Sequence, residues 1–122
     1  MSADPAEVVR RLVAAFNAFD IDTVIALSSP DVVVRENPVF PDASTYRGHD
    51  GVRAMLAGWA EAFDEWHTEV ERITVDGDEV TLLATYEGVG RLTGAPVKMP
   101  PERAVYVVRD GQVVSAQFGG PE

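Results

Sequence analysis

Glu102 is the side chain of this sequence that is best suited to moving protons. It lies in residues 97–108, an alternating segment typical of a β-strand in which every second side chain faces the same way. The face that it shares is mostly apolar, and we expect partial burial there to raise the pKa of the carboxyl group, which suits a general acid or base. The alternative is an ion pair at the surface. The candidate partners for that pair are Arg91, Lys98 and Arg103.

Asn37 and Arg35 are polar candidates near an earlier strand, which we expect over residues 31–36. Alternation places both side chains on one face. Asn37 can orient a carbonyl or hydroxyl group of a ligand, because its amide donates and accepts; it can equally bond to the backbone before Pro38, as Asn does in turns. Arg35 inside an apolar cavity would need a partner such as Glu102, and the alternative is that its guanidinium reaches the strand edge.

Tyr86 and Tyr106 fall on the inward faces of neighbouring strands by the same alternation. A buried phenol seeks a partner, so each can hold a ligand oxygen or bond to the backbone of the core. An apolar wall around them indicates an apolar or aromatic ligand. The wall or core residues are Met55, Trp59, Phe63, Trp66 and Phe118. The predicted catalytic residues are Glu102, Asn37, Tyr106 and Tyr86, and the predicted ligand contacts are Trp59, Met55, Phe118 and Arg35.

No metal or cofactor site is predicted. His49 falls in the first turn of a helix, where packing and capping explain it. His67 shares a strand face with Glu69 and Glu71, and the many acidic residues around this set indicate a solvated face rather than a metal site. Gly88 and Gly90 follow a predicted strand, but no helix begins after them. The helix amide groups that bind phosphate in a phosphate loop are therefore missing.

The spacing of apolar residues, together with capping and turn residues, predicts the helices and strands that position these side chains. Asp4-Pro5 is typical of a helix start, Asp20 can cap a second short helix, and prolines predict a loop over 37–47. Pro100-Pro101 predicts a bulge or an edge irregularity within its strand. The expected order is a helix from Pro5 towards Phe19, a helix near 21–27, a strand at 31–36, a helix from 48 to about 63, and strands beginning near Trp66 and Val80 and at 97–108 and 112–118.

This order predicts one α+β domain over residues 1–122, with three helices packed on a strongly curved antiparallel sheet. A curled sheet closed by a helix makes a cone, and the inside of a cone is a natural ligand site. The outer face of the sheet keeps an apolar patch, which favours a homodimer interface. By alternation the patch consists of Leu83, Val89, Val105 and Val107.

The composition of the chain limits the kinds of partner that it is expected to bind. The net charge of −10 disfavours nucleic acid and anionic membranes. The absence of cysteine removes disulfides, thiolate metal sites and cysteine nucleophiles, and it fits a reducing compartment. The sequence has neither a signal-peptide pattern nor an apolar run of about 20 residues. We therefore expect a cytoplasmic protein that binds a small apolar molecule and a second copy of itself.

Four segments, taken in order, resemble one known family. They read FDID at 19–22, DVVVRENP at 31–38, YRGHDGV at 46–52 and VVRDGQV at 107–113. Together they are similar to the SnoaL-like branch of the nuclear transport factor 2-like superfamily, over nearly the whole chain. The resemblance implies a cone-shaped fold and a homodimer formed through the sheets. It specifies no reaction, because these folds include isomerases, polyketide cyclases, epoxide hydrolases, dehydratases and non-catalytic binding domains.

The resemblance also implies what this chain does not do. In ketosteroid isomerases the base is an Asp that precedes a Pro, and its counterpart here is Asn37. The Asp and Tyr that hold the substrate oxygen correspond to Ala104 and Leu12, and an ungapped match would replace Ala104 by Arg103. Asn37 has no useful basicity, Ala104 and Leu12 have no side-chain donor, and Arg103 in place of Ala104 does not restore the site. We expect neither ketosteroid isomerase activity nor the activity of limonene-type epoxide hydrolases, whose Asp–Arg–Asp set has no inward counterpart.

Two functions remain open. The first is a cofactor-independent enzyme that uses acid–base catalysis to cyclise, isomerise or dehydrate an apolar oxygenated ring compound such as a polyketide, terpenoid or steroid-like molecule. The second is a non-catalytic binding or accessory domain with the same cavity. A titratable group with a perturbed pKa on the cavity floor distinguishes the two, and Glu102 is the candidate for it.

Overall fold

The computed structural model describes residues 4–38 and 43–119. This part of the chain forms three helices and six strands in a single sheet. The helices are α1 (Pro5–Asn17), α2 (Ile21–Ala26) and α3 (Gly48–Ala62). The strands are β1 (Ser28–Arg35), β2 (Thr45–Arg47), β3 (Phe63–Asp76), β4 (Glu79–Gly90), β5 (Pro96–Arg109) and β6 (Gln112–Phe118). The α+β class predicted from the sequence is confirmed.

The first two helices begin where the capping residues predict. Asp4 accepts a hydrogen bond from the Ala6 amide at 3.0 Å, and this satisfies one of the amides that a helix start leaves unpaired. Asp20 caps α2 in the same way through the Thr23 amide. One apolar face of α1 then packs into the core, with Val8, Val9, Leu12, Val13 and Phe16 buried. Local capping and periodicity therefore agree with the tertiary packing.

The sheet order is β2-β1-β6-β5-β4-β3. The antiparallel meander of β3, β4, β5 and β6 is confirmed. At the other edge the predicted all-antiparallel sheet is wrong, because β1 pairs with β6 in parallel and a short β2 lies within the predicted loop. The boundaries also differ, because β1 begins at Ser28 rather than Asp31 and β3 begins at Phe63, directly after α3.

Pro100-Pro101 forms the predicted bulge, and it changes which residues of β5 face inward. Ala84 pairs with Glu102 and Tyr86 pairs with Met99, so β5 has one more residue than β4 over this interval. Two prolines suit this position because neither can donate to the ladder. As a result, Met99 and Glu102 both face the interior although strict alternation would separate them.

The main core lies between α1, α2, α3 and the middle of the sheet. Its most deeply buried side chains come from every layer, and they include Val9, Met55, Leu56, Leu82 and Val80. Asn17 fastens the end of α1 to β3: its Nδ2 donates to the Thr68 carbonyl at 3.0 Å and its Oδ1 accepts from the Thr68 amide at 2.6 Å. Among the described helices, none is long and apolar enough to cross a membrane.

Candidate functional site

A cavity of about 380 Å³ opens beside the main core, between α3 and the ends of the strands. Helix α3 supplies Trp59, and the remaining wall comes from four strands and from the segment that follows β1. The lining residues are Glu36, Asn37, Trp59, Phe63, Trp66, Tyr86, Val97, Met99, Glu102 and Phe118. Apolar and aromatic side chains dominate, and the few polar groups lie close together, as is usual for small-molecule sites.

Glu102 is held by two neutral hydrogen-bond donors. Asn37 Nδ2 donates to Glu102 Oε2 at 2.7 Å. The Tyr86 hydroxyl donates to the same carboxylate from the neighbouring strand. Hydrogen bonds of this kind hold an ionised carboxylate in one orientation inside an apolar cavity. The arrangement therefore presents a fixed, partly buried proton acceptor to whatever occupies the cavity.

Both inward tyrosines remain protonated at neutral pH. Burial raises the pKa of Tyr86 well above its usual value, and the charge of Glu102 and the hydrogen bond to it act in the same direction. Burial likewise raises the pKa of Tyr106, with smaller contributions from Tyr86 and Glu102. Tyr86 can therefore act as a hydrogen-bond donor over the whole physiological range.

Asn37 reaches the cavity because the chain leaves the strand before it. Strand β1 ends at Arg35, and Asn37 lies in the irregular segment beyond it. Gly119, at the end of β6, packs directly against the Asn37 side chain, and any Cβ at residue 119 would overlap the amide. Gly119 also has a φ of +65°, a conformation that only glycine adopts without strain. This glycine thus leaves room for the donor that holds Glu102.

A chain of aromatic rings forms one wall of the cavity and reaches the polar groups at Tyr86. Trp59 and Trp66 stack with ring centroids 5.7 Å apart and an interplanar angle of 28°. Phe63 lies 4.8 Å from Trp66, and Tyr86 lies 5.7 Å from it on the other side. The Trp66 indole donates to Thr68 Oγ1 at 3.2 Å, which fixes the ring plane. Flat apolar rings suit such a wall.

The structure brings together most of the residues predicted for the site. Glu102, Asn37 and Tyr86 converge as expected, and Trp59 and Phe118 line the cavity. The catalytic and binding roles assigned to them stay predictions. Two of the surface partners considered for Glu102 are engaged elsewhere, since Arg91 pairs with Asp64 at 2.8 Å and Lys98 pairs with Glu87 at 3.6 Å.

Three predicted placements are wrong. Arg35 is exposed at the end of β1 and does not line the cavity, because Val32 and Val34 take the inward positions of that strand. Met55 is 1% exposed and belongs to the core beneath the cavity. Tyr106 also lies in the core, edge-on to Phe118 with ring centroids 6.0 Å apart, and it does not reach the cavity surface.

Three lining residues were not predicted from the sequence: Glu36, Val97 and Met99. Val97 and Met99 have the opposite parity to Glu102, and only the bulge at Pro100-Pro101 turns them inward. That bulge was predicted, so its effect on parity was the available signal. Glu36 lines the cavity mouth, where its Oε1 accepts a hydrogen bond from the Ser44 amide at 3.1 Å. No sequence pattern marked that contact.

The histidines lie outside the cavity. His49 Nε2 contacts the Ser28 carbonyl oxygen at 2.8 Å, and because a carbonyl only accepts, the ring nitrogen donates. His67 is exposed on β3, 3.8 Å from Glu69. Within residues 4–38 and 43–119, no group of three or more His, Asp or Glu side chains is arranged to hold a metal ion.

Comparison with known proteins places the fold. The model of the SnoaL-like domain family matches residues 9–116. IdmH from Streptomyces antibioticus, a proposed polyketide cyclase, is 23% identical with a TM-score of 0.81, over 95% of this chain and 91% of that one. An epoxide hydrolase of the LEH-like type from M. tuberculosis is 23% identical with a TM-score of 0.80, over 97% and 83%.

A third solved structure is a hypothetical protein from Catenulispora acidiphila with a ketosteroid isomerase-like fold, in complex with trimethylamine. It is 19% identical with a TM-score of 0.83, over 93% of this chain and 85% of that one. No curated protein matches the sequence. These structural likenesses establish the fold, and the family model covers most of the chain. The chain therefore belongs to the SnoaL-like domain family.

Proposed function

We propose that this protein is a cofactor-independent acid–base enzyme that acts on an apolar, oxygenated ring compound. Glu102 is the group that accepts and returns the proton. The observation that carries the proposal is a carboxylate held by two neutral donors within a wall of aromatic rings. Solved proteins of this fold are described as cyclases, as an epoxide hydrolase and as a trimethylamine complex, so the fold alone does not choose the reaction.

The geometry supports proton transfer at a carbon or oxygen of the ring. Glu102 takes a proton from the substrate, and the electron pair left behind enters the neighbouring π system or carbonyl. The same carboxyl group then returns the proton at a second atom, which completes an isomerisation or ring closure, or gives it to a departing hydroxyl group in a dehydration. Asn37 and Tyr86 act as positioning residues, because they fix the carboxylate on which the transfer depends.

The aromatic wall supports the choice of a ring compound as substrate. Trp59, Trp66 and Phe63 lie next to one another in the lining, and Val97 and Met99 add further apolar side chains to it. An apolar cavity of this kind also strengthens the polar contacts within it, because water competes less for them.

The second candidate is a non-catalytic binding domain. The specific observation in its favour is that the residue at the position of the ketosteroid isomerase base is Asn37, which has no useful basicity. In that case the carboxylate would serve only as a hydrogen-bond acceptor for a ligand. The two candidates differ in whether the protein turns over a substrate at all, and in whether replacement of the Glu102 carboxylate by an isosteric amide abolishes that turnover.

The test is proton exchange in D₂O. α-Tetralone and related fused-ring ketones exchange the hydrogens beside the carbonyl slowly, and proton NMR measures the rate. We expect the protein to accelerate exchange for at least one of them and Glu102→Gln to reduce that acceleration about 100-fold or more, the scale of acid–base assistance. Glu71→Gln removes an equal charge from an exposed position on β3 and should leave the exchange rate unchanged.

Binding is measured in parallel to separate the two candidates. Trp59 and Trp66 are the only tryptophans of the sequence, and both line the cavity, so quenching of their fluorescence reports occupancy. Ketones that quench the fluorescence but exchange no faster than in buffer would favour the binding domain. Equal exchange rates in the wild type and Glu102→Gln would remove Glu102 from the mechanism.

A further inference from the structure

The charged groups of the cavity are all of one sign. Among the lining residues that the structure describes, Glu36 and Glu102 are acidic and none is Lys, Arg or His. The partners of Glu102 within the cavity, Asn37 and Tyr86, are both neutral. Raised pKa values do not make Tyr86 a source of positive charge, because a protonated phenol is uncharged. The described lining therefore offers an anion no counter-charge.

The aromatic wall adds to this preference for positive charge. The face of an aromatic ring carries negative electrostatic potential, and Trp presents the strongest attraction to a cation. Trp59, Trp66 and Tyr86 form one continuous surface, with consecutive centroids 5.7 Å apart in both pairs. Glu102 lies beside the Tyr86 end of that surface, and its carboxylate bonds to the Tyr86 hydroxyl.

Aromatic rings that meet a carboxylate form the arrangement by which proteins recognise alkylated ammonium groups. A neutral apolar ligand would gain from the rings alone. An organic cation would gain from the rings and from Glu102 together, whereas a carboxylate ligand would face Glu102 and Glu36 with no compensating cation from the described wall.

We infer that the natural ligand of this cavity carries an alkylated ammonium group on an apolar ring. This inference rests on the proposal that the cavity is the ligand site, and it names the class of compound bound there. It also fits the chemistry proposed for Glu102: a positive charge next to a carbon–hydrogen bond makes that hydrogen more acidic, and a carboxylate can then remove it more readily. The cavity thus selects its ligand by charge as well as by shape.

Three probes of closely similar shape test the inference. Phenyltrimethylammonium is cationic, tert-butylbenzene is its neutral isostere, and 4-tert-butylbenzoate is anionic. Quenching of Trp59 and Trp66 fluorescence gives the dissociation constant of each probe. We expect the cation to bind about tenfold more tightly than the neutral isostere, as cation–π attraction and a nearby carboxylate together imply, and the anion to bind most weakly.

Variants then assign the preference to the cavity. Glu102→Gln should bring the affinities for phenyltrimethylammonium and tert-butylbenzene to within about threefold of each other, because the charge is lost and the rings remain. Glu71→Gln removes the same negative charge outside the cavity and should keep the tenfold ratio. Circular dichroism of each variant verifies that the fold is intact.

The outcomes separate this inference from the proposed function. If the neutral isostere or the anion binds as tightly as the cation, charge selection is wrong, while proton exchange by Glu102 stands or falls on its own assay. If Glu102→Gln keeps the full preference for the cation, the preference does not come from this carboxylate and the inference is overturned. If no probe of any charge binds, the inferred preference for an alkylated ammonium group is overturned, while the proposed function is still decided by the proton-exchange assay.

Discussion

Gly119→Ala should destabilise the protein through Asn37, a residue far away in the sequence. An alanine at a φ of +65° costs about 1–2 kcal/mol from backbone strain alone. Its Cβ would also overlap the Asn37 amide, so this side chain must move and its hydrogen bond to Glu102 must break. A partly exposed hydrogen bond to a charged group contributes about 1.5 kcal/mol. The expected loss of unfolding free energy is about 3 kcal/mol.

A matched glycine isolates the part that comes from the site. Gly77, in the turn between β3 and β4, has a φ of +62°, and a Cβ added there would meet open space, so Gly77→Ala carries the backbone strain alone. Urea unfolding, followed by far-ultraviolet circular dichroism, gives both free energies. In an Asn37→Ala background, where the overlapping amide is gone, Gly119→Ala should cost no more than Gly77→Ala. Equal costs for the two glycines in the wild-type background would refute the contact between Gly119 and Asn37.

Three further predictions concern the contact between Asn17 and Thr68, the raised pKa of Tyr86 and the outer face of the sheet. Asn17→Ala leaves the Thr68 amide and carbonyl without their side-chain partner and should cost about 2–3 kcal/mol in urea unfolding; Asn17→Asp, which keeps the acceptor but loses the donor, should not restore the wild-type value. Because the pKa of Tyr86 is raised in the folded state, the unfolded chain releases this proton at a lower pH than the folded protein does. The unfolding free energy should therefore keep its full value below about pH 10 and fall above it, by up to about 1.4 kcal/mol per pH unit. Tyr86→Phe should make this fall less steep, and an unchanged slope in urea titrations from about pH 9 to 11.5 would contradict the reasoning. The outer face of the sheet carries four partly exposed apolar side chains, Leu83, Val89, Val105 and Val107, and we therefore expect a homodimer at micromolar concentration. Light scattering should give the dimer mass for the wild type and the monomer mass for Val105→Glu, and a monomeric wild type would refute the predicted dimer.

Sequence patterns predicted the parts of the fold that depend on local signals. Asp4 and Asp20 cap their helices through side-chain contacts to residues two and three positions ahead, so the information needed is present in a few neighbouring letters. The alternation in β4 and β5 likewise placed Tyr86 and Glu102 on inward faces. The parallel pairing of β1 with β6 could not be found in this way, because it depends on where two distant segments meet.

The errors in the site have the same origin. Arg35 was expected inside because alternation was counted backwards from Asn37, whereas the chain leaves the strand between these two residues. Tyr106 and Met55 do face inward, as the pattern indicates, but the interior has a packed core as well as an open cavity. Periodicity gives the direction of a side chain and contains no information on whether a packed neighbour or open space lies in front of it.

The bulge at Pro100-Pro101 divides β5 into a part that packs in the core and a part that lines the cavity. On one side, Ala104 and Val108 belong to the buried cluster that supports the whole domain. On the other side, Val97 and Met99 are only partly buried and touch the cavity but not that cluster. Substitutions beyond the bulge can therefore reshape the cavity at little risk to folding. Random libraries confined to positions 97 and 99 would therefore vary the shape and polarity of the cavity wall while leaving the buried core unchanged.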